Sequence, residues 1–564
     1  NIPGRINFDL LPYMKRNYTL DNYKLTTVSQ KYLQDDKDNL PIPTMMEYFL
    51  SKDPAKAYIV MKYCLKDTEL PLQLIETLRL LFLQIEMSRV CSVFMMDLVG
   101  RGQMFKVLST FFIFARKERF VLTNLPDYAK LGIDTYQGAT VLECLKGFFP
   151  DCLVLDFASL YPSIMVAKNT CFTSWVKPAD MEKYGSLEHV DYFDAKTDLG
   201  VFRFQQSTEG LIPKLLCSLL AARKVAKRDM AAAKDPSVKE LMNGRQLALK
   251  ISCNSVYGFC GAAAFGSYAC PPIAATVTSE GRSLIEQTIK HVHEGFTDVA
   301  AKVVYGDTDS VFVTVAETPA LSSEERMAYL FTTGTRMGKS ISDKFPDAIV
   351  LEFEKVYLNF LLMSKKCYTG LKFENQFKPG KVEAKGFSVV RRDFCLFVRE
   401  LLQTMVDAVV QDRNIEGAIQ HLADRLGDLI DGNVPYEKII LSCKLAGSYK
   451  NPNVIQNRVA IAMNARTPGY GPRPGDRVQF VILHNTQSKN LYDKGEDWEY
   501  AKAHKLPIDT KYYIDGLKAP LDKMFHVFPM RIKDRLRDVF CHFDSIIYRR
   551  RNNLADLRQR FAAP

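Results

Sequence analysis

The stretch AKVVYGDTDSVFVTV, residues 301–315, decides how this chain is read. Two apolar runs flank a short polar turn and predict an antiparallel hairpin. Asp307 and Asp309 stand at its tip, separated by one Thr. Carboxylates gathered on a rigid tip repel one another unless a cation or a proton lies between them. A tight turn capped by its own side chain accounts for Asp307 alone. It does not account for Asp309 once a third acid, Asp156, is considered.

That acid ends an apolar strand in CLVLDFASLYPSIM, residues 152–165, where the chain turns into a helix with Pro162 in its first turn. Pro is tolerated there because first-turn N–H groups have no intrahelical partner. The N–H groups of Ser159, Leu160 and Tyr161 therefore offer an anion site a few residues from a carboxylate. This pairing suits a metal-bound phosphate chain. Acids on a strand end and a hairpin tip can hold two Mg²⁺ ions ~3.5–4 Å apart, as in-line phosphoryl transfer requires. Mg²⁺ keeps several waters, so few protein carboxylates suffice.

Residues 213–258 predict two helices broken at Asp235-Pro236, an antiparallel hairpin. AARKVAKRDM puts Arg223 and Lys227 four apart on the first helix. LALKISCNSVYGFCG puts Lys250, Asn254 and Tyr257 on one face of the second. A charge run is ordinarily a solvated face. Matched spacing on two adjoining helices instead predicts one basic groove for phosphates, with a flat ring at its base.

Bulk properties frame this reading. A chain of 564 residues is too long for one core and predicts several domains. Apolar residues at 47% and charged residues at 25% are those of an ordinary folded protein. The net charge of +11 fits either a solvated basic surface or a polyanion partner such as nucleic acid. Thirteen cysteines include no CxxC pair, which favours free thiols in a reducing intracellular compartment over disulfides or a zinc ribbon. No apolar run reaches the ~20 residues of a membrane span; VLSTFFIFA is closed by Arg116 and Lys117. Short strand-like pieces and a helix are expected over residues 1–88, with YIVMKYCLKDTELPLQLIETLRLLFLQIEMSRV helical despite Pro71. A polar stretch follows near 176–200, further strands lie near 351–373, and the pattern turns helical from about 392.

DFASLYPSI, KISCNSVYG and YGDTDS, in that order, resemble the three polymerase motifs of the family B DNA polymerases. YQGAT at 136, GLIPKLL at 210, LEFEKVY at 351, KKCYTG at 365, KGFSVVRRD at 385 and IDTKYYI at 508 extend the resemblance over nearly the whole chain. It is nearest to the delta-like replicative branch, which includes polymerases of large DNA viruses. The resemblance implies an α/β multidomain fold: a right-hand polymerase of palm, fingers and thumb, preceded by the C-terminal part of a 3′–5′ exonuclease domain. The implied boundaries are exonuclease portion 1–88, connector and first part of the palm 89–205, fingers hairpin 206–262, palm 263–391 and thumb 392–564. A DNA-templated DNA polymerase acting in replication is the implied enzyme, with Mg²⁺ (two ions) as cofactor. Its implied partners are primer-template DNA, deoxynucleoside triphosphates and a sliding clamp or processivity factor, with no membrane. A nucleus or viral replication site is the implied location. The alternative is a catalytically impaired, polymerase-like DNA-binding fragment.

Residue by residue, the resemblance makes Asp156 and Asp309 metal ligands, assisted by the Phe157 carbonyl, with Asp307 an accessory catalytic acid. Ser159, Leu160 and Tyr161 would meet the incoming nucleotide, Tyr161 as a steric gate against a 2′-hydroxyl. Arg223, Lys227, Lys250 and Asn254 would bind the triphosphate or position the fingers, and Tyr257 would lie under the nascent pair. Tyr136, Gly138, Lys365, Lys366 and Tyr368 resemble DNA and primer contacts. YCLKD resembles the third exonuclease motif through Tyr63 and Asp67, and INFDLLPY resembles the stretch after the second. The chain would then begin inside the exonuclease domain. From Arg531 to the end, nine Lys/Arg face four Asp/Glu, a balance that suits a duplex-gripping thumb or an exposed helix.

Overall fold

The computed structural model describes the chain apart from residues 1–4, 21, 36–39, 123–124, 126–129, 131, 133–134, 177–190, 263–267, 317–320, 413, 470, 485–487, 489 and 562–564, and apart from the side chains of 390 and 551–561. It divides into two compact units. One comprises residues 1–140, 156–291 and 338–352; the other comprises 141–155, 292–337 and 353–564.

Among its described residues the first unit opens with the helices α1 Leu10–Asn17, α2 Leu25–Leu33, α3 Ile42–Leu50, α4 Pro54–Thr77, α5 Leu80–Cys91, α6 Met95–Gly100 and α7 Gln103–Lys117. The strand-like pieces expected before residue 88 are absent among the described residues, and this expectation is corrected. Within INFDLL, Asp9 accepts a hydrogen bond from Leu11 N–H at 2.9 Å and caps α1. Pro71 sits inside α4 without ending it. The break comes instead at Arg79, held in the left-handed region at φ 50° between α4 and α5. The chain then runs through β1 Gly147–Phe157, α8 Leu160–Ala167 and a small antiparallel sheet of β2 Trp175–Val176, β3 Tyr192–Thr197 and β4 Gly200–Gln205, ordered β2-β4-β3. The polar stretch read at 176–200 lies, for residues 177–190, outside the described residues.

Two long helices follow, α9 Leu211–Ala232 and α10 Pro236–Gly261. They part where Asp235-Pro236 predicted. Asp235 accepts from Ser237 N–H at 2.8 Å as N-cap, and Pro236 occupies the first helical position. Leu215, Leu216, Leu219 and Ala226 of α9 and Ala248, Leu249, Cys253 and Val256 of α10 are buried, leaving the charged positions on the outer faces. α10 also packs on α5, where Met87 and Cys91 meet Ala248, while Arg79 pairs with Glu240 at 3.1 Å. The next helix is α11 Pro271–Gly295.

The second unit is built on a six-stranded sheet. After β1 its strands are β5 Lys302–Asp307 and β6 Ser310–Thr314, then, beyond helix α12 Ser323–Ser342, β7 Leu351–Ser364, β8 Cys367–Phe373 and β9 Lys381–Lys385. The order is β5-β6-β1-β7-β8-β9. One face buries Cys152, Val154, Val304, Tyr305, Phe312, Tyr357, Phe360 and Leu362 together. Arg326 of α12 donates to both carboxylate oxygens of Asp151 on β1 at 2.7–3.1 Å, and the Asp151 side chain is only 2% exposed.

The region from 392 is helical as expected in α13 Leu396–Asp407, α14 Ile415–Asp431, α15 Ile455–Arg466, α16 Trp498–Ala503, α17 Thr510–Phe525 and α18 Met530–Phe561. It also holds an unexpected antiparallel sheet, β10 Leu441–Lys444, β11 Arg477–Ile482 and β12 Gly495–Asp497. RVQFVI of β11 buries Val478, Phe480, Val481 and Ile482 in a core shared with α13, α14 and α17. Part of the basic tail is paired: Arg535 with Glu416, Arg537 with Asp534 and Arg550 with Asp431. Among the described residues no helix is long and apolar enough to cross a membrane.

Candidate active site

Within the first unit, Asp156 and Phe157 close β1, the acid half-buried and the ring buried. The chain then turns sharply: Ala158 N–H bonds Val350 C=O at 2.9 Å, and Ser159, N-cap of α8, is left-handed at φ 54°. A non-Gly residue held there costs about 1–2 kcal/mol and points to an over-determined turn. Leu160 is buried in the core, so only its backbone can meet a ligand.

Tyr161 lies against Tyr257 of α10, ring centroids 4.3 Å apart and tilted by 41°. The Tyr257 hydroxyl is 3.2 Å from that of Tyr136, and burial pushes both phenols to higher pKa. The YQGAT segment is itself held from α11. Arg282 donates to the carbonyls of Gln137 at 2.9 Å and Gly138 at 2.7 Å, and Thr278 donates to Gln137 at 2.8 Å. Arg282 and Thr278 escaped sequence reading because nothing in local spacing links them to residues 136–138. A Cβ on Gly261 would fall 2.2 Å from the Tyr136 hydroxyl oxygen, so a larger residue there would displace that phenol.

On the helical hairpin, Arg223 donates to the Ser159 hydroxyl at 3.3 Å, and its buried Nε has no hydrogen-bond partner among the described residues. Lys227, Lys250 and Asn254 are exposed. Within one unit, Arg223 thus contacts Ser159 and Tyr161 contacts Tyr257 among the candidate nucleotide-binding residues.

Within the second unit, β5 and β6 pair through Asp307 and Ser310, leaving Thr308 and Asp309 as a two-residue turn. Thr308 takes φ 62°, a position where such hairpins normally place Gly. Asp309 N–H closes the turn onto Asp307 C=O at 2.7 Å. Beneath it, the fully buried Tyr305 hydroxyl accepts from Lys366 N–H at 2.8 Å and lies 3.4 Å from Asp307 Oδ2. Burial first, and then the Asp307 charge, push this phenol up to about 12, the Lys366 N–H acting in the opposite sense. Lys366 Nζ also pairs with Asp307 at 3.3 Å, Lys365 pairs with Glu143, and Tyr368 is half-buried on β8. The hairpin tip and the KKCY turn are therefore tied together through Tyr305, a link the sequence does not display.

Gly386 supports the KKCY turn. It has φ 62°, and a Cβ there would stand 1.9 Å from the Lys366 carbonyl oxygen. Gly386→Ala is expected to cost about 2 kcal/mol or more through this clash and the backbone strain. Chemical denaturation checks it; unchanged stability would contradict the geometry.

Tyr63 and Asp67 lie four apart on α4, both partly buried, so they share a helix face. No group of three or more His, Cys, Asp or Glu among the described residues is gathered as a metal centre. The proposed donors Asp156, Asp309 and the Phe157 carbonyl are hard oxygens, which fit Mg²⁺ and not a soft metal. Asp307, compensated by Lys366, suits a supporting role.

Residues 93–528 match the family described as DNA polymerase family B. The chain is 38% identical over 535 residues to the DNA polymerase delta catalytic subunit of Oryza sativa subsp. japonica, covering 93% of this chain and 47% of that relative. For the subunit of Drosophila melanogaster the identity is 37%, over 93% and 48%. For that of Bos taurus it is 38%, over 93% and 47%. The chain spans about half the length of the curated relatives it matches.

Proposed function

The chain belongs to DNA polymerase family B, and from that premise we propose that it extends a DNA primer on a DNA template, with palm, fingers and thumb as its working parts. Asp156 and Asp309, with the Phe157 carbonyl, hold the divalent ions; Asp307 supports them. When bound, two Mg²⁺ ions would lower the pKa of the primer 3′-hydroxyl and neutralise the triphosphate and its leaving group. The chain's own residues do the rest. Arg223, Lys227, Lys250 and Asn254 bind and orient the phosphates, and the Ser159–Tyr161 backbone offers N–H donors to them. Tyr257 lies under the nascent pair, and Tyr136, Gly138, Lys365, Lys366 and Tyr368 hold primer and template.

One observation carries this reading beyond family membership. β1, whose chain continues into Asp156, and β6, which Asp309 precedes, are neighbouring strands of one sheet. The buried Nε of Arg223, beside Ser159, supports a phosphate-binding role for the hairpin. The test is extension of a labelled primer-template by the four deoxynucleoside triphosphates. Extension should require both template and Mg²⁺; absence of extension, or extension without template, would overturn the reading.

Tyr161 is the proposed steric gate, supported by a ring fixed against Tyr257. Tyr161→Ala is expected to raise ribonucleotide over deoxynucleotide incorporation by about 10- to 200-fold, the range for one pocket contact. An unchanged ratio would remove the gate role. Tyr63 and Asp67 are proposed as part of a 3′–5′ exonuclease site. A processivity factor as partner, and the nucleus or a viral replication site as location, rest on the resemblance alone.

A further inference from the structure

The small sheet β2-β4-β3 has no part in the roles above, yet the tip of its β3–β4 hairpin reaches the YQGAT segment. The two strands pair from Tyr192 opposite Gln205 to Thr197 opposite Gly200, so Asp198 and Leu199 form the turn. Arg203 on β4 donates to both carboxylate oxygens of Asp194 on β3 at 2.7–2.8 Å and braces the hairpin. Ser279 of α11 donates to the Lys196 carbonyl at 2.8 Å and fastens the tip to that helix. Asp198 Oδ2 then accepts from the Gln137 N–H at 2.7 Å. Gln137 is thereby held on both sides, its N–H by this carboxylate and its carbonyl by the Thr278 hydroxyl and the Arg282 guanidinium of α11.

Two donors fill both lone pairs of that carbonyl. A trans peptide is planar, and its N–H points opposite to its C=O. The Gln137 C=O faces α11, so the N–H of the same peptide, that of Gly138, points away from α11. Gly138 is exposed, and a Cβ there would meet no atom within 4 Å. Its N–H has no hydrogen-bond partner among the described residues. Arg282 also donates to the Gly138 carbonyl at 2.7 Å, and bonds to a guanidinium polarise these peptides and strengthen their N–H as donors. An exposed, polarised N–H with open space before it suits an anion, and on a DNA-binding chain that anion is a backbone phosphate. We propose that Asp198, Thr278 and Arg282 are positioning residues that aim the Gly138 N–H at one backbone phosphate of the bound primer-template.

This rests on the polymerase reading and on Gly138 as a DNA contact. The test is binding without turnover, read by fluorescence anisotropy at one salt concentration. Primer-templates carry a single uncharged methylphosphonate linkage, moved step by step along either strand, and are bound by wild type, Asp198→Ala, Thr278→Val and Arg282→Met. In wild type, neutralising the linkage that faces Gly138 should weaken binding about tenfold, the factor for one hydrogen bond to a charged group. At that linkage the penalty should fall to within about twofold in Arg282→Met and to about threefold in Thr278→Val and Asp198→Ala, with penalties at the other linkages unchanged. Thr278 is 1% exposed and cannot itself reach DNA. A penalty lost in Arg282→Met alone would therefore make the arginine the phosphate ligand and overturn the inference. Penalties that fall uniformly along both strands, or no linkage whose penalty falls in all three variants, would overturn it as well. Failure of the wild type to bind unmodified primer-template would overturn the underlying reading instead.

Discussion

Asp309→Asn is expected to lower the rate of primer extension by about 10³ in single-turnover measurements at saturating Mg²⁺. A ligand that stabilises developing charge through a bound divalent ion contributes several kcal/mol, and each 1.36 kcal/mol is tenfold in rate. Asn keeps the shape and the N–H that closes the turn onto Asp307, so the change removes charge without disturbing the hairpin. Asp307→Asn makes a revealing partner. Its carboxylate already answers Lys366 at 3.3 Å and Tyr305 at 3.4 Å. Neutralising it loosens the link between hairpin and KKCY turn, with an expected loss of about tenfold. Equal losses at the two positions would show that Asp309 has no special role.

Arg326→Met is expected to lower folding stability by about 3–5 kcal/mol, more than Asp151→Asn. The two substitutions break the same ion pair but leave different remnants. Without Arg326, a carboxylate only 2% exposed stays buried with its partner gone, and an uncompensated buried charge is the costly outcome. Without the Asp151 charge, Arg326 is left 27% exposed. It can turn toward water, so the loss should be about 1–2 kcal/mol. Denaturant titration with constant m-value measures both. Losses below about 1 kcal/mol for Arg326→Met, or the reverse order, would contradict the burial argument.

The sequence was most readable where one residue type has one physical job. Asp235-Pro236 could end one helix and start the next, and it does. The apolar runs on either side of GDTDS predicted a hairpin with acids at its tip, and β5 and β6 form it. Reading failed where tertiary contacts outweigh local preference. Residues 1–88 read as partly strand-like, yet a carboxylate cap at Asp9 starts a helix there. RVQFVI carries a strand pattern, but it lay in a stretch dominated by helical spacing, so the β10–β12 sheet was missed. The left-handed Ser159 and Thr308 are invisible in sequence, because no Gly or Asn marks them. Both adjoin proposed site residues, where strain is commonly stored. Contacts spanning 61 residues from Tyr305 to Lys366, or 144 from Gly138 to Arg282, leave no local signal at all.

The central claim is that Asp156 and Asp309 serve the same ions. It is tested most directly by Mn²⁺ titration, read by electron paramagnetic resonance, on the chain bound to primer-template and nucleotide. Wild type, Asp156→Asn, Asp309→Asn and the double variant complete a cycle. If the two acids share a site, each single change weakens binding by about tenfold or more, and the double change does no worse than the weaker single. Losses that multiply in the double variant, or a single variant that binds like wild type, would contradict the shared site.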